Sequence, residues 1–234
     1  MNDIEKNAVF KSMPLFADCS EDVIREIAKD SILKEYKKGE IVQNTTASTQ
    51  RISVLANRGR IKISTTNDEA EELILYFLLF GDIFNVITLL DKVKDNLTAV
   101  ALDDVSVFHC NIEIARTWID NYNEFNKHLL KYVSGRLKLA QEFNIQKTFY
   151  SIELRLAKLI FNNIKDDDDQ HNLINNLSHD EIAKMLGTSR AVVNRNLQNL
   201  KKENLIKIKR RKILIENYNK FENYLSSYPD LFLS

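Results

Sequence analysis

The stretch that most constrains this chain runs from Leu177 to Glu216, LSHDEIAKMLGTSRAVVNRNLQNLKKENLIKIKRRKILIE. Ser178 with Glu181 three residues on has the spacing of a capping box, in which each side chain satisfies the other's free backbone N–H. A first helix follows, with Ile182, Ala183 and Leu186 inward, and stops at Gly187, whose missing Cβ suits a left-handed helix end. Thr188 or Ser189 caps a second helix. At 100° per residue, Val193, Leu197 and Leu200 form one apolar stripe of that helix. Arg190, Ala191, Asn194, Arg195, Gln198 and Lys201 occupy a separate arc. Asn204 tolerates the left-handed conformation at the helix end. Two alternating strands come next, Leu205–Ile208 and Ile213–Ile215, separated by Lys209-Arg210-Arg211-Lys212.

Two short helices around a glycine turn, the second with an Arg/Asn/Gln arc, predict a helix-turn-helix with its recognition helix. The hairpin reads as a wing with a basic tip. Arginine can grip guanine O6/N7 with two hydrogen bonds, Asn or Gln can pair with adenine, and Ala can meet a thymine methyl. Lys209, Arg210 and Arg211 suit phosphates rather than bases. Charge distribution agrees. The chain holds 33 basic and 33 acidic residues, but Ser178 to Lys220 holds 11 Lys/Arg against 4 Asp/Glu, a net of +7. A basic C-terminal segment on an acidic remainder points to a polyanion, and the partner expected is double-stranded DNA.

Upstream, residues from about Phe10 to Lys29 read as helical, with Val23, Ile24 and Ile27 at helix spacing. From Ser31 to Phe108 the pattern changes to short apolar runs: Ile52–Val54, Ile61–Ile63, Leu73–Phe77, Ala99–Ala101 and Val105–Val107. Turn signals at Lys38-Gly39-Glu40, Asn57-Arg58-Gly59, Thr66-Asn67-Asp68 and Gly81-Asp82 separate them, as in a β-barrel or sandwich. From Ile112 to about Lys147 the reading is one helix, in which Phe125, Leu129, Tyr132 or Val133, Arg136, Leu139 and Phe143 repeat every three or four residues. A helix that long predicts pairing with a second subunit, and these residues are the expected dimer interface. Gly135 would allow close backbone approach there. Ser151 caps a further helix over Ile152–Asn162, and Asp166–Asp169 reads as a solvated loop without the pattern of a calcium site.

The N-terminus MNDIEKNAVF has no signal-peptide pattern, and the longest apolar run, Leu73–Phe80, is too short to span a bilayer. A cytoplasmic protein with no membrane partner is expected. The chain has two cysteines, Cys19 and Cys110, in no CxxC pair, so neither a disulfide framework nor a cysteine metal site is expected. An enzyme is not expected either: the chain has five glycines, mostly at turns, and no phosphate-binding glycine loop, HExxH or GxSxG.

The C-terminal residues Leu177-Ser178-His179-Asp180-Glu181-Ile182-Ala183, Gly187-Thr188-Ser189-Arg190 and Val193-Asn194-Arg195 with Leu197 and Leu200 resemble the DNA-binding domain of the Crp–Fnr superfamily of bacterial transcription regulators. The resemblance extends over nearly the whole chain, through Met13-Pro14-Leu15-Phe16, Lys38-Gly39-Glu40-Ile41-Val42, Asn57–Ile63 and Gly81-Asp82-Ile83-Phe84. It implies an α+β protein with an N-terminal cyclic-nucleotide-type β-roll (residues 1–115), a long dimerisation helix (116–148) and a C-terminal winged helix-turn-helix (149–234). It further implies a homodimer on a palindromic site, and RNA polymerase as a partner if the protein activates. By position, Arg190 and Arg195 correspond to base- or phosphate-contacting arginines, and Ser178 and Ser189 to phosphate contacts. Ala191 stands where many members carry Glu, which predicts a half-site other than TGTGA or TTGAT.

The resemblance also sets expectations for the sensor. Cyclic-AMP binders of the family hold the ribose with Gly-Glu-Leu and the phosphate with Arg-Ser/Thr-Ala. Here Asn85-Val86-Ile87 and Leu97-Thr98-Ala99 stand there, so the chain is expected not to bind cyclic AMP usefully. Four-cysteine iron–sulfur ligation is absent. Haem remains open, with His109, Cys110, His128 or a Met as ligand, since some relatives answer to nitric oxide through haem. Thiol redox at Cys19 or Cys110, a small organic ligand, or no effector are the alternatives. A different class of reading is a signalling module whose β-roll regulates a protein partner.

Overall fold

A computed structural model of the chain describes residues 1–46, 50–93, 96–164, 173–209 and 212–228. The chain divides into two compact units, Met1–Arg136 and Leu137–Ser234.

The first unit opens with α1 (Asp3–Ser12) and α2 (Glu21–Lys29). The single helical stretch expected from Phe10 to Lys29 is therefore two helices with a turn between them. Pro14 is the cause: it disfavours helical backbone at the residue before it, and Met13 is extended at φ −84°, ψ 135°. The turn is held against the roll by Gly81, at φ +81°, where an added Cβ would lie 2.9 Å from Pro14 Cδ.

Eight strands follow: β1 (Ile32–Tyr36), β2 (Ile41–Asn44), β3 (Arg51–Leu55), β4 (Ile61–Thr66), β5 (Glu72–Leu78), β6 (Ile83–Phe84), β7 (Thr98–Ala101) and β8 (Val105–Asn111). They form two antiparallel four-stranded sheets, ordered β1-β8-β3-β6 and β2-β7-β4-β5. Between β6 and β7 lies the short α3 (Val86–Asp91), which the strand pattern concealed. Strand alternation separates two cores. Val105 and Val107 of β8 face the roll interior with Leu55, Ile61, Ile63 and Phe84. Phe108 and Cys110 face outward onto Phe10, Phe16 and Trp118.

The one long helix expected from Ile112 is also two, α4 (Ile112–Asn121) and α5 (Asn123–Phe149). Tyr122 breaks it with extended backbone at φ −120°, ψ 93°. The kink brings Trp118 and Phe125 edge to face at 5.9 Å, and Phe125 also stacks on Phe16. The packing of these three rings outweighs the continuous helix periodicity of the sequence.

The second unit is built of α6 (Ile152–Asn163), α7 (His179–Leu186), α8 (Arg190–Lys202), the hairpin β9 (Ile206–Lys209) and β10 (Lys212–Ile215), and α9 (Tyr218–Ser226). Leu156, Ala157, Ile160, Leu197 and Phe221 are fully buried. The acidic run Asp166–Asp169 lies outside the described residues. Among the described residues, no helix is long and apolar enough to cross a membrane.

Candidate nucleic-acid interface

Local sequence builds the two-helix element as expected from its caps. Ser178 caps α7 by accepting from Glu181 N, and Glu181 Oε2 accepts in return from Ser178 N (2.7 Å) and Oγ (2.9 Å). Gly187 ends α7 at φ 60°. Ser189 rather than Thr188 caps α8, accepting from Val192 N at 3.4 Å. Val193, Leu197 and Leu200 of α8 are fully buried. Arg190, Ala191, Arg195, Gln198 and Lys201 are exposed on the arc assigned to them, while Thr188 is half-buried. Among the described residues, neither Arg190 nor Arg195 has an ion-pair partner, so the cationic face of α8 is open.

Asn194 departs from the rest of its arc. It is half-buried, and its Oδ1 accepts a hydrogen bond from Nδ1 of His179, the first residue of α7.

Two residues that the sequence reading passed over hold this element in place. Arg155 of α6 is only 6% exposed, and its guanidinium donates to Leu186 O at 2.6 Å, the carbonyl end of α7. Burial lowers its pKa, and the carbonyl dipole offsets part of that cost. Glu153, two residues earlier in the same helix, accepts from Asn199 of α8 (3.2 Å) and from the Tyr224 hydroxyl of α9 (3.1 Å). The available signal was a charge inside an apolar stripe: Arg155 sits between Leu154 and Leu156.

In the hairpin, Lys209 pairs with Lys212, and Lys207 is neutralised by Glu216 at 2.7 Å. Lys209 is exposed. Arg210 and Arg211 lie outside the described residues.

Comparison with known proteins agrees with this geometry in both units. Residues 154–224 match the Crp-like helix-turn-helix domain, and residues 33–122 match the cyclic nucleotide-binding domain. The chain belongs to the Crp–Fnr superfamily of transcription regulators. It is 20% identical over 207 residues to a CRP-like cAMP-activated global transcriptional regulator of Mycobacterium tuberculosis, covering 87% of this chain and 92% of that one. It is 24% identical over 192 residues to the global nitrogen regulator of Synechococcus elongatus, with coverages of 79% and 86%. Its fold is that of a crp/fnr-family regulator from Eubacterium rectale, at TM-score 0.72, 21% identity and coverages of 92% and 98%. It is equally that of the c-di-GMP responsive regulator CLP of Xanthomonas campestris, at TM-score 0.73, 14% identity and coverages of 85% and 100%.

In this Crp–Fnr chain the roll positions named from the sequence are mostly turned to packing. Val86 packs against the helical core and Leu97 against the roll core, in place of a carboxylate and a guanidinium. Asn85 is buried at φ 70°, and its Nδ2 donates to Arg51 O at 3.1 Å.

Two of the candidate haem ligands, His109 and Cys110, do not fit the role. His109 is buried, and both ring nitrogens are engaged: Nε2 with the Tyr36 hydroxyl (2.7 Å) and Nδ1 with Ser53 Oγ (2.8 Å). Ser53 in turn donates to Gln43 Oε1 at 2.5 Å. That leaves Nδ1–H to donate to Ser53, and Nε2 to accept from Tyr36. Burial, reinforced by Arg51 and Lys34, pushes the imidazole pKa down to about 3, so it is neutral, and its one lone pair, on Nε2, is taken up by the Tyr36 hydroxyl rather than left for iron. Burial pushes the Cys110 thiol up to about 12 and the Cys19 thiol up to about 11, so both resist forming the reactive thiolate. His128 lies 3.4 Å from Asp18. Among the described residues, no three His, Cys, Asp or Glu side chains cluster as metal ligands would.

The long helix requires a correction. Phe125 and Leu129, expected at a dimer interface, are buried in the core of their own unit and can touch no partner. Val133 packs on the same core, and the Tyr132 hydroxyl donates to Ile83 O at 3.2 Å. Arg136 lies over the Tyr76 ring at 4.0 Å. The periodic stripe was real, but its upper part serves the chain's own roll. Leu139 and Phe143, farther along the stripe, are exposed, as are Leu130 and Leu137 on another face.

Proposed function

We propose that the protein is a sequence-specific DNA-binding transcription regulator, acting as a homodimer on a two-fold symmetric site with one α8 in each major groove. The observation that carries this reading is the exposed arc of α8, where two arginines without an ion-pair partner among the described residues, with Gln198 and Lys201, stand apart from a buried apolar stripe. Arg190 and Arg195 read guanine or grip the adjacent backbone, Gln198 reads base edges, and Ala191 meets a thymine methyl. Ser178, Thr188, Ser189, Lys201, Lys209, Arg210 and Arg211 contact phosphates and set register. With Ala191 in place of Glu, the half-site departs from TGTGA and TTGAT at one base pair. A duplex target makes the cytoplasm its compartment, and RNA polymerase is its partner where it activates.

The dimer forms along α5 through Leu130 and Leu137, seven residues apart and so on one face, while Leu139 and Phe143 are exposed on the opposite side of the helix. The effector, if one acts, is not cyclic AMP, because Val86 and Leu97 offer neither a ribose acceptor nor a phosphate cation. One curated relative is named for cyclic AMP and another for nitrogen regulation, so the family alone does not name the effector.

The test is fluorescence anisotropy of the ligand-free protein on a palindrome selected from a random pool, across a salt series. Specific binding whose affinity falls with rising salt supports the reading. Binding of equal strength to every duplex would sink it. Sedimentation of the Leu137→Glu variant as a folded monomer, against a wild-type dimer, checks the interface.

A further inference from the structure

The His179–Asn194 pair joins the first residue of α7 to the exposed arc of α8, and among the described residues no other side chain of that arc is hydrogen-bonded to α7. An asparagine that pairs with adenine uses both ends of its amide: Oδ1 accepts from the base amino group and Nδ2 donates to N7. Here Oδ1 already accepts from an imidazole N–H. That imidazole is seated against the carbonyl, where an adenine amino group would have to approach. Asn194 is also half-buried, whereas Arg190, Ala191, Arg195 and Gln198 around it are exposed. The amide is therefore drawn back toward α7 by its oxygen, which leaves its nitrogen as the end directed away.

We infer that His179 is a specificity-determining partner of Asn194. By holding Oδ1, it makes Asn194 a donor-only reader that prefers guanine, which presents two acceptors (N7 and O6), over adenine, which sets the N6 donor beside its single acceptor N7. The inference rests on the DNA-binding reading and deepens it, because His179 sets what one residue of the recognition helix can read without touching the base itself.

The arrangement is built from position. His179 follows the cap Ser178, whose reciprocal bonds with Glu181 fix the start of α7. Gly187 and the buried Arg155–Leu186 bond fix the turn that brings α8 beside it. The imidazole thus meets Asn194 from a rigid support, and a side chain with the same donor position suffices. Asparagine at 179 supplies an Nδ2–H at nearly the place of Nδ1–H.

Selection from a random palindromic pool, followed by sequencing of bound duplexes, tests this with four proteins: wild type, Asn194→Ala, His179→Ala and His179→Asn. Asn194→Ala locates the base pair that Asn194 reads as the one position whose preference relaxes. At that pair the wild type and His179→Asn should both enrich guanine over adenine. His179→Ala frees the carbonyl and should raise adenine enrichment there by roughly tenfold, on the scale of one paired base contact. A merely structural role for His179 would lower binding to all duplexes alike and leave the preference unchanged. Adenine preference in the wild type, or identical preferences in wild type and His179→Ala, would overturn the inference while leaving the DNA-binding reading intact. Absence of any selected sequence in the wild type would remove both.

Discussion

The β-roll and the helix-turn-helix both use hydrogen-bonded polar side chains, but they close them differently. In the roll, Tyr36, His109, Ser53 and Gln43 form a chain in which each donor meets an acceptor, with Gln43 Nε2 ending on Arg51 O at 2.8 Å. All four side chains are buried. On α7 and α8, the caps and the His179–Asn194 pair are satisfied on one side only, and the arginines beside them stand in solvent. A closed chain spends its hydrogen-bonding capacity on uniqueness of the fold; an open one keeps it for a ligand. The same residue types are thus structural in one unit and functional in the other, and burial decides which.

The largest effect expected from this contrast lies in the roll. His109→Ala leaves the Tyr36 hydroxyl and Ser53 without their partner inside the core, at a cost of about 3 kcal/mol of stability. Titration sharpens the point. His109 has a pKa of about 3 in the folded protein, below the ordinary value of 6.5. Between those values only the unfolded chain takes up the proton, so stability is full above about pH 6.5 and is lost as pH falls toward 3. From pH 7 to pH 5 the wild type should lose about 2 kcal/mol that His109→Gln does not lose. Urea unfolding of both proteins at the two pH values measures it. Equal losses would mean that the imidazole protonates inside the folded roll, and the closed chain would not exist as described.

Arg190→Ala should show the reverse. The side chain is exposed and has no ion-pair partner among the described residues, so thermal unfolding should be within about 0.5 kcal/mol of wild type. Affinity for the selected duplex should fall by about 1–3 kcal/mol, with preference relaxed at one base pair. A uniform loss on all sequences would place Arg190 on phosphates and move it from the readers to the positioning cations.

The helix-turn-helix was legible because its signals are local. Capping box, glycine turn, apolar stripe and polar arc all lie within forty residues, and each is set by backbone physics. The strands of the roll were legible as strands, while their chemistry was not. Nothing in the spacing of Tyr36, Gln43, Ser53 and His109 shows that two sheets bring them together. The helical segments misled wherever tertiary packing overrode periodicity. Pro14 and Tyr122 each broke a run that read as one helix, and Phe125 and Leu129 turned an apparent subunit interface into core. A helix stripe shows that a face is buried, but not what buries it. Arg155 was missed for a related reason, since its partner is a backbone carbonyl that no side-chain pattern reveals.

Gly135 offers the smallest and finest test of where the roll ends and the proposed subunit interface begins on α5. It lies in mid-helix, where glycine costs about 1 kcal/mol relative to alanine. Among the described residues, and apart from its own stretch of helix backbone, a Cβ built there meets no atom within 4 Å. At 100° per residue it points roughly 140° away from Leu130, and so off the face that Leu130 and Leu137 share. Gly135→Ala should therefore stabilise the folded chain by up to about 1 kcal/mol and leave dimerisation unchanged. Thermal unfolding read beside sedimentation at several concentrations separates the two effects. A gain in stability with an unaltered dimer keeps the interface on the Leu130–Leu137 face. A weakened dimer would mean that the partner's helix crosses close to Gly135 itself, and the interface would then lie on the flank of α5 nearer Leu139.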